Sequence, residues 1–105
     1  MFFELRQYQL RPGKRDAWVK FMDEIIIPYQ MSKGMGILGS FVDEENDLYF
    51  WLRRFENEEE RKQQYAAVYE NDYWQNEISP QVGDMIDREQ IVVRVVKATP
   101  HSFMQ

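Results

Sequence analysis

The stretch DLYFWLRRF, Asp47 to Phe55, carries large side chains at almost every position. Successive residues of a strand point to opposite sides of the sheet. Leu48, Phe50 and Leu52 therefore share one side, and Tyr49, Trp51, Arg53 and Phe55 share the other. The first set is ordinary core material. The second is aromatic, partly polar and too large to leave in water. Both sides of this strand need cover, and the fold is decided by what covers each.

Working outward, the polar run DEEND (43–47) reads as the turn of an antiparallel hairpin, pairing this strand with ILGSFV (37–42). Before the hairpin, FFELRQYQL (2–10) is a strand closed by Pro12-Gly13. A helix is expected from about Lys14 to Ser32, with Trp18, Met22, Ile25 and Tyr29 on its inward stripe and a kink near Ile27 caused by Pro28. After the hairpin, Asn57 with Glu60 approximates a capping box, and Glu58 to Glu60 suit the positive end of a helix dipole. That helix turns Tyr65, Val68 and Tyr69 inward. A further helical piece runs through Trp74, Ile78, Val82 and Met85, and EQIVVRVVK (89–97) is the last strand. The order β-α-β-β-α-β predicts an α+β, ferredoxin-like domain over residues 1–105, a four-stranded antiparallel sheet with helices on one face.

Sorting the strands by parity gives two sets. Phe3 and Leu5, Leu48, Phe50 and Leu52, and Ile91, Val93 and Val95 are expected beneath the helices. Glu4, Arg6, Tyr8, Tyr49, Trp51, Arg53, Gln90, Val92 and Arg94, with Ser40, would form one composite surface on the helix-free side. Arginine with tyrosine and tryptophan is a composition enriched at interface centres. The expected cover is a second copy of the same sheet, giving a homodimeric barrel with this surface as interface and lumen. Three arginines against one glutamate leave excess positive charge there, so Arg6, Tyr8, Tyr49, Trp51, Arg53, Gln90 and Arg94 are candidate binders of a small anionic, aromatic or acyl ligand. The alternative is that the arginines stack on the aromatics, pair across the dimer and fill the lumen.

Composition narrows the chemistry. The chain of 105 residues has 44% hydrophobic and 30% charged residues, a globular balance. Net charge is −5, which argues against a nucleic-acid partner. No apolar run is long enough to span a membrane, and MFFELRQYQL lacks the pattern of a signal peptide, so a cytoplasmic protein is expected. There is no cysteine, and the one histidine, His101, sits in the tail after Pro100. Thiolate and multi-histidine metal sites and a histidine triad are excluded, and no metal or cofactor is expected. The acidic runs DEEND and EEE read as a solvated turn and a helix start, and GMGILG (34–39) enters a strand rather than a helix, unlike a dinucleotide fingerprint.

ELRQYQLRPG (4–13) resembles the opening signature of NIPSNAP-family proteins, WLRRFENEEER (51–61) is similar to the family's second block, and YAAVYENDYW (65–74) to the segment that follows in a bacterial branch. The resemblance implies the dimeric α+β barrel shared with cofactor-free monooxygenases, muconolactone isomerases and haem-degrading enzymes. It implies no particular reaction. Many members carry a histidine in the third strand where this chain has Trp51 and Arg53, so no histidine role carries over. Cofactor-free chemistry would use Arg6, Arg53 or Arg94 to stabilise an enolate-type anion, with Glu4, Tyr8 or Tyr49 handling protons. The interaction-module alternative rests on Tyr69, Tyr73 and Trp74 at the helix junction, and on the tail Ala98–Gln105 with Phe103 as an anchor.

Overall fold

The computed structural model describes residues 1–104; Gln105, the end of the expected tail anchor, lies outside them. β1 (Phe2–Leu10) leads into α1 (Arg15–Phe21), a π-helical turn (Met22–Ile26) and α2 (Ile27–Ser32). β2 (Gly36–Asp43) and β3 (Leu48–Phe55) follow, then α3 (Glu58–Tyr69), a second π-helical segment (Tyr73–Ile78), α4 (Ser79–Met85) and β4 (Ile86–Val96). The sheet has the order β2-β3-β1-β4 with antiparallel neighbours throughout, which is the ferredoxin-like topology.

Local chemistry explains the boundaries. The Asp43 carboxylate accepts from the backbone N–H of Glu45 and Asn46 and closes the hairpin turn, while Asp47 takes a left-handed φ of 53°. Asn57 caps α3, its Oδ1 accepting from the Glu60 N–H at 2.8 Å. The Glu60 carboxylate reaches back to the Glu56 N–H, one residue before the cap.

The first helical run differs from a regular helix in one respect. Its buried stripe is Trp18, Met22, Ile26 and Gln30, four residues apart at each step, and Ile25 is turned outward. A 3.6-residue period would drift off that line. The wide i→i+5 turn at Met22–Ile26, just upstream of Pro28, restores it and replaces the simple kink expected at Ile27.

The sheet reverses the expected assignment of its two sides. Tyr49, Trp51, Arg53 and Phe55 are 2%, 1%, 0% and 0% exposed, packed beneath the helices of their own chain. Cross-strand pairs place Glu4 opposite Arg53, Arg6 opposite Trp51, Tyr8 opposite Tyr49 and Ser40 opposite Trp51, all on that side. Val93 pairs with Arg6 and Val95 with Glu4, so β4 turns Ile91, Val93 and Val95 to the helix side as expected, but Val93 and Val95 are 42% and 57% exposed there rather than covered by the helices. The composite surface is therefore split. Val92 and Arg94 lie on the helix-free side, opposite Gln7 and Leu5. Gln90 sits in the bulge between Asp87 and Val92, exposed, and donates to the Asp87 carboxylate. The helix-free side carries Phe3, Leu5, Phe41, Phe50, Leu52, Val92 and Val96, and Leu5, Phe41 and Val96 are exposed there.

The parity failed for a physical reason. An arginine and a glutamate beneath a helical layer are costly unless they are paired and fully hydrogen-bonded, and the partners that meet this condition come from distant helices. Asn57→Ala should lower stability by about 1 kcal/mol in urea denaturation, with the denaturant slope unchanged.

Candidate functional site

The charged centre of the molecule is Glu4 with Arg53, both fully buried. Arg53 Nη2 and Nε donate to Glu4 Oε1 at 2.7 and 3.1 Å. Its Nη1 donates to Gln30 Oε1 at 2.9 Å and to the Tyr69 hydroxyl at 2.7 Å, and Nη2 also donates to the Tyr65 hydroxyl at 3.1 Å. Tyr65 in turn donates a short hydrogen bond to Glu4 Oε2. Arg61 and Arg6 approach the two Glu4 oxygens from either side, each at 3.3 Å. β1 and β3 set the charged pair in register, α2 supplies Gln30, and α3 presents Tyr65, Tyr69 and Arg61 at successive four-residue steps. Arg53 also stacks on Trp51, with its Cζ 4.9 Å from the ring centroid.

Beside this cluster lies a cavity of about 300 Å³ between the sheet and the helices. Trp18, Trp51, Trp74 and Tyr8 give it aromatic walls, and Met22, Ile26, Val82, Ile86 and Ile91 complete the apolar lining. Its size matches about ten water molecules, at the small end of ligand pockets. Both π-helical segments border it, through Met22, Ile26 and Trp74.

The polar lining is one-sided. The indole N–H groups of Trp18 and Trp51 and the amide nitrogen of Gln30 are buried without a partner among the described residues. Arg53 donates to the amide oxygen of Gln30, which fixes the amide orientation and leaves its NH2 as the free end. Arg6 and Arg88 add two guanidinium groups, and among the described residues no carboxylate lines the cavity. A second, open cleft of about 740 Å³ lies outside it, bounded by Glu4, Arg61, Tyr65 and Val93. Arg6 and Tyr69 line both spaces.

Electrostatics assigns different roles to the titratable groups. Burial works against the charge of Glu4, but Arg53, the Tyr65 hydroxyl and Arg6 outweigh it and hold the carboxyl below its ordinary range. Burial pushes the phenols of Tyr8 and Tyr49 up, and burial together with the Glu4 carboxylate pushes Tyr65 up to about 12. These tyrosines are proton donors at neutral pH. Glu4 is an acceptor already committed to Arg53 and Tyr65, which is a poor arrangement for a general base.

Of the residues singled out in the sequence, the cavity brings together Arg6, Tyr8 and Trp51. Tyr49 packs edge-on to Trp18 at 5.9 Å within the neighbouring core. Glu4 and Arg53 form the ion pair at the centre of the cluster, while Gln90 and Arg94 lie away from it. Trp18, Gln30, Tyr69, Trp74, Arg61 and Arg88 complete the site; the sequence places Trp18 and Tyr69 on inward stripes and Trp74 at the helix junction, and does not single out Gln30, Arg61 or Arg88. The missed signal was the pair Tyr65 and Tyr69 on an inward helical stripe, since two buried hydroxyls require a buried polar partner. Trp74 packs between Tyr69 and Tyr29, with centroids at 4.8 and 6.3 Å, and Tyr73 is exposed beside them. His101 and Phe103 are exposed. Among the described residues no group of three or more His, Cys, Asp or Glu could hold a metal ion, and no helix is long and apolar enough to cross a membrane.

The sequence model of the NIPSNAP family matches residues 3–102, and the chain belongs to that family. It is similar to the crystal structure of a NIPSNAP family protein of unknown function from Agrobacterium tumefaciens, at 22% identity over 100% of this chain and 94% of that one, with a TM-score of 0.89. An uncharacterized NIPSNAP-like domain protein from Burkholderia xenovorans is 18% identical over 96% of this chain and 87% of that one, TM-score 0.85. An antibiotic biosynthesis monooxygenase is 14% identical over 95% of this chain and 100% of that one, TM-score 0.67. These likenesses establish the fold. No curated protein matches the sequence.

Glu4→Gln leaves Arg53 buried without its counter-charge and should cost about 3–5 kcal/mol at pH 7. Because the folded-state pKa of Glu4 lies below its ordinary value of 4.5, its contribution is present above that pH and is lost as pH falls through the folded value. Stability measured against pH should therefore fall less steeply below about 4.5 in the variant than in the parent.

Proposed function

We propose that this NIPSNAP-family chain works as a cytoplasmic homodimer in which each subunit binds a small anionic or aromatic organic ligand in the cavity beneath its own helices. The observation that carries the reading is the unpaired donor set: two indole N–H groups and one amide, all buried, in an aromatic cavity with two arginines and no carboxylate. Buried donors without acceptors each cost about 1–3 kcal/mol, and a ligand rich in oxygen acceptors removes that cost. Its flat apolar body would lie against the tryptophans.

The dimer has different support from that expected in the sequence. The helix-free side presents Leu5, Phe41 and Val96, an apolar side of the kind that packs face to face with another sheet. In this arrangement the interface is built on aliphatic and phenyl groups, with Arg54 and Arg94 on the same side of the sheet, and the ligand sites lie within the subunits.

A second reading is cofactor-free turnover of an electron-rich aromatic in the same cavity, as a monooxygenase or isomerase. It has support in the fold likeness to an antibiotic biosynthesis monooxygenase, and in donors suited to an enolate-type anion. With Tyr8, Tyr49 and Tyr65 pushed up, the base would have to come from the substrate or solvent.

Benzoate, salicylate, phenylacetate and succinate, screened by thermal shift and tryptophan fluorescence, test the ligand reading. At least one aromatic anion should stabilise the protein, and Val82→Trp, which fills the cavity, should abolish the effect. Stabilisation by none of them, or undiminished binding by the filled variant, goes against it and favours a dimer without a ligand. Sedimentation should give a dimer that Phe41→Lys converts to a folded monomer; a monomeric parent contradicts the assembly.

A further inference from the structure

Three arginines touch Glu4, and their attachments are unequal. Arg53 is fully buried, and its Nε, Nη1 and Nη2 are all engaged, so it has nothing to offer a ligand. Arg61 is tied at 2.7 Å to Glu58 on the protein surface. Arg6 is held more loosely. Its Nη1 meets Glu4 at 3.3 Å, its Nε donates to the Tyr8 hydroxyl at 3.0 Å, and its side chain is 13% exposed. It is also the guanidinium that belongs to both the inner cavity and the outer cleft.

Resting on the reading of the cavity as a ligand site, we propose that Arg6 determines its specificity: an organic carboxylate comes in from the cleft between α3 and β4, past Arg6 and Tyr69, and takes Arg6 from Glu4 as it arrives. The exchange leaves no orphan. Glu4 keeps two N–H bonds from Arg53, one O–H bond from Tyr65 and its contact with Arg61. Arg6 exchanges one carboxylate for another, so its own charge stays compensated. The arriving oxyanion finds the Trp18 and Trp51 indole N–H groups and the Gln30 amide NH2, donors that no described residue satisfies. The Tyr8 phenol, kept protonated by burial, accepts from Arg6 and retains its own hydrogen to donate. A neutral ligand of the same shape could use the indoles and the amide, but it offers Arg6 no charge in exchange for Glu4. The arrangement thus separates a fixed structural arginine from a movable recognition arginine, and discrimination between anion and neutral analogue falls on the latter.

Benzoate and benzamide, titrated against the intact protein by tryptophan fluorescence, provide the test. Arg6→Gln should weaken benzoate about 10- to 100-fold, the value of a charge-assisted hydrogen bond, and leave benzamide nearly unchanged. Equal effects on both, or none on benzoate, overturn the role of Arg6. If the parent binds neither, the ligand reading of the cavity fails first. Val93 is 42% exposed on the wall of the outer cleft, so Val93→Phe should fold normally and narrow the access route. Stopped-flow association of benzoate should slow with little change in Kd; an unchanged association rate overturns the route.

Discussion

A carboxylate and a guanidinium 2.7 Å apart, both removed from water, set the conditions for the rest of this structure. Two charges beneath a helical layer are tolerated only when their remaining donors and acceptors are also met. Four elements contribute to meeting them: β1 and β3 carry the pair, α2 brings Gln30, and α3 brings Tyr65, Tyr69 and Arg61. The network therefore fixes how the helices sit over the sheet. It also holds open the neighbouring cavity, because Trp51 and Gln30 are positioned by Arg53 on one side and face the cavity on the other.

The same arrangement separates structural from functional polarity. Arg53 spends its hydrogen bonds within the protein, whereas the indole N–H groups of Trp18 and Trp51 and the amide NH2 of Gln30 are buried and unpaired among the described residues. The π-helical turn at Met22–Ile26 belongs to this logic. By keeping Trp18, Met22, Ile26 and Gln30 in one line it delivers an indole, two apolar side chains and an amide to the same wall. On the far side of the sheet, aliphatic and phenyl groups leave a surface suited to self-association and remote from the donors.

Much of the fold was legible in the sequence. The spans of β1 and β3 and the Asn57 cap follow from turn residues and strand alternation, and the family signature agrees with the topology. The sides of the sheet were not legible. β1 and β3 carry large apolar side chains on both parities, so the need for cover does not by itself choose the side that faces the helices. Placing the Phe, Leu, Ile and Val sets beneath the helices then chose the wrong side for β1 and β3. In β4 the contrast of Ile91, Val93 and Val95 with Arg94 gave the right side of the sheet, although the helices leave Val93 and Val95 exposed. The cavity was invisible for a related reason: its unpaired donors sit on tryptophans and a glutamine that any core would accommodate. Only their missing partners distinguish them.

Amide and guanidinium hydrogen exchange followed by nitrogen NMR tests the central claim most directly. Arg53 and its neighbour Arg54 point to opposite sides of one strand, the first fully buried and the second partly exposed. The Arg53 Nε–H should exchange only on global unfolding, while that of Arg54 exchanges at a solvent-accessible rate. An Arg53 signal that exchanges as fast as Arg54 would place the guanidinium in water and contradict the buried pair on which the site is built.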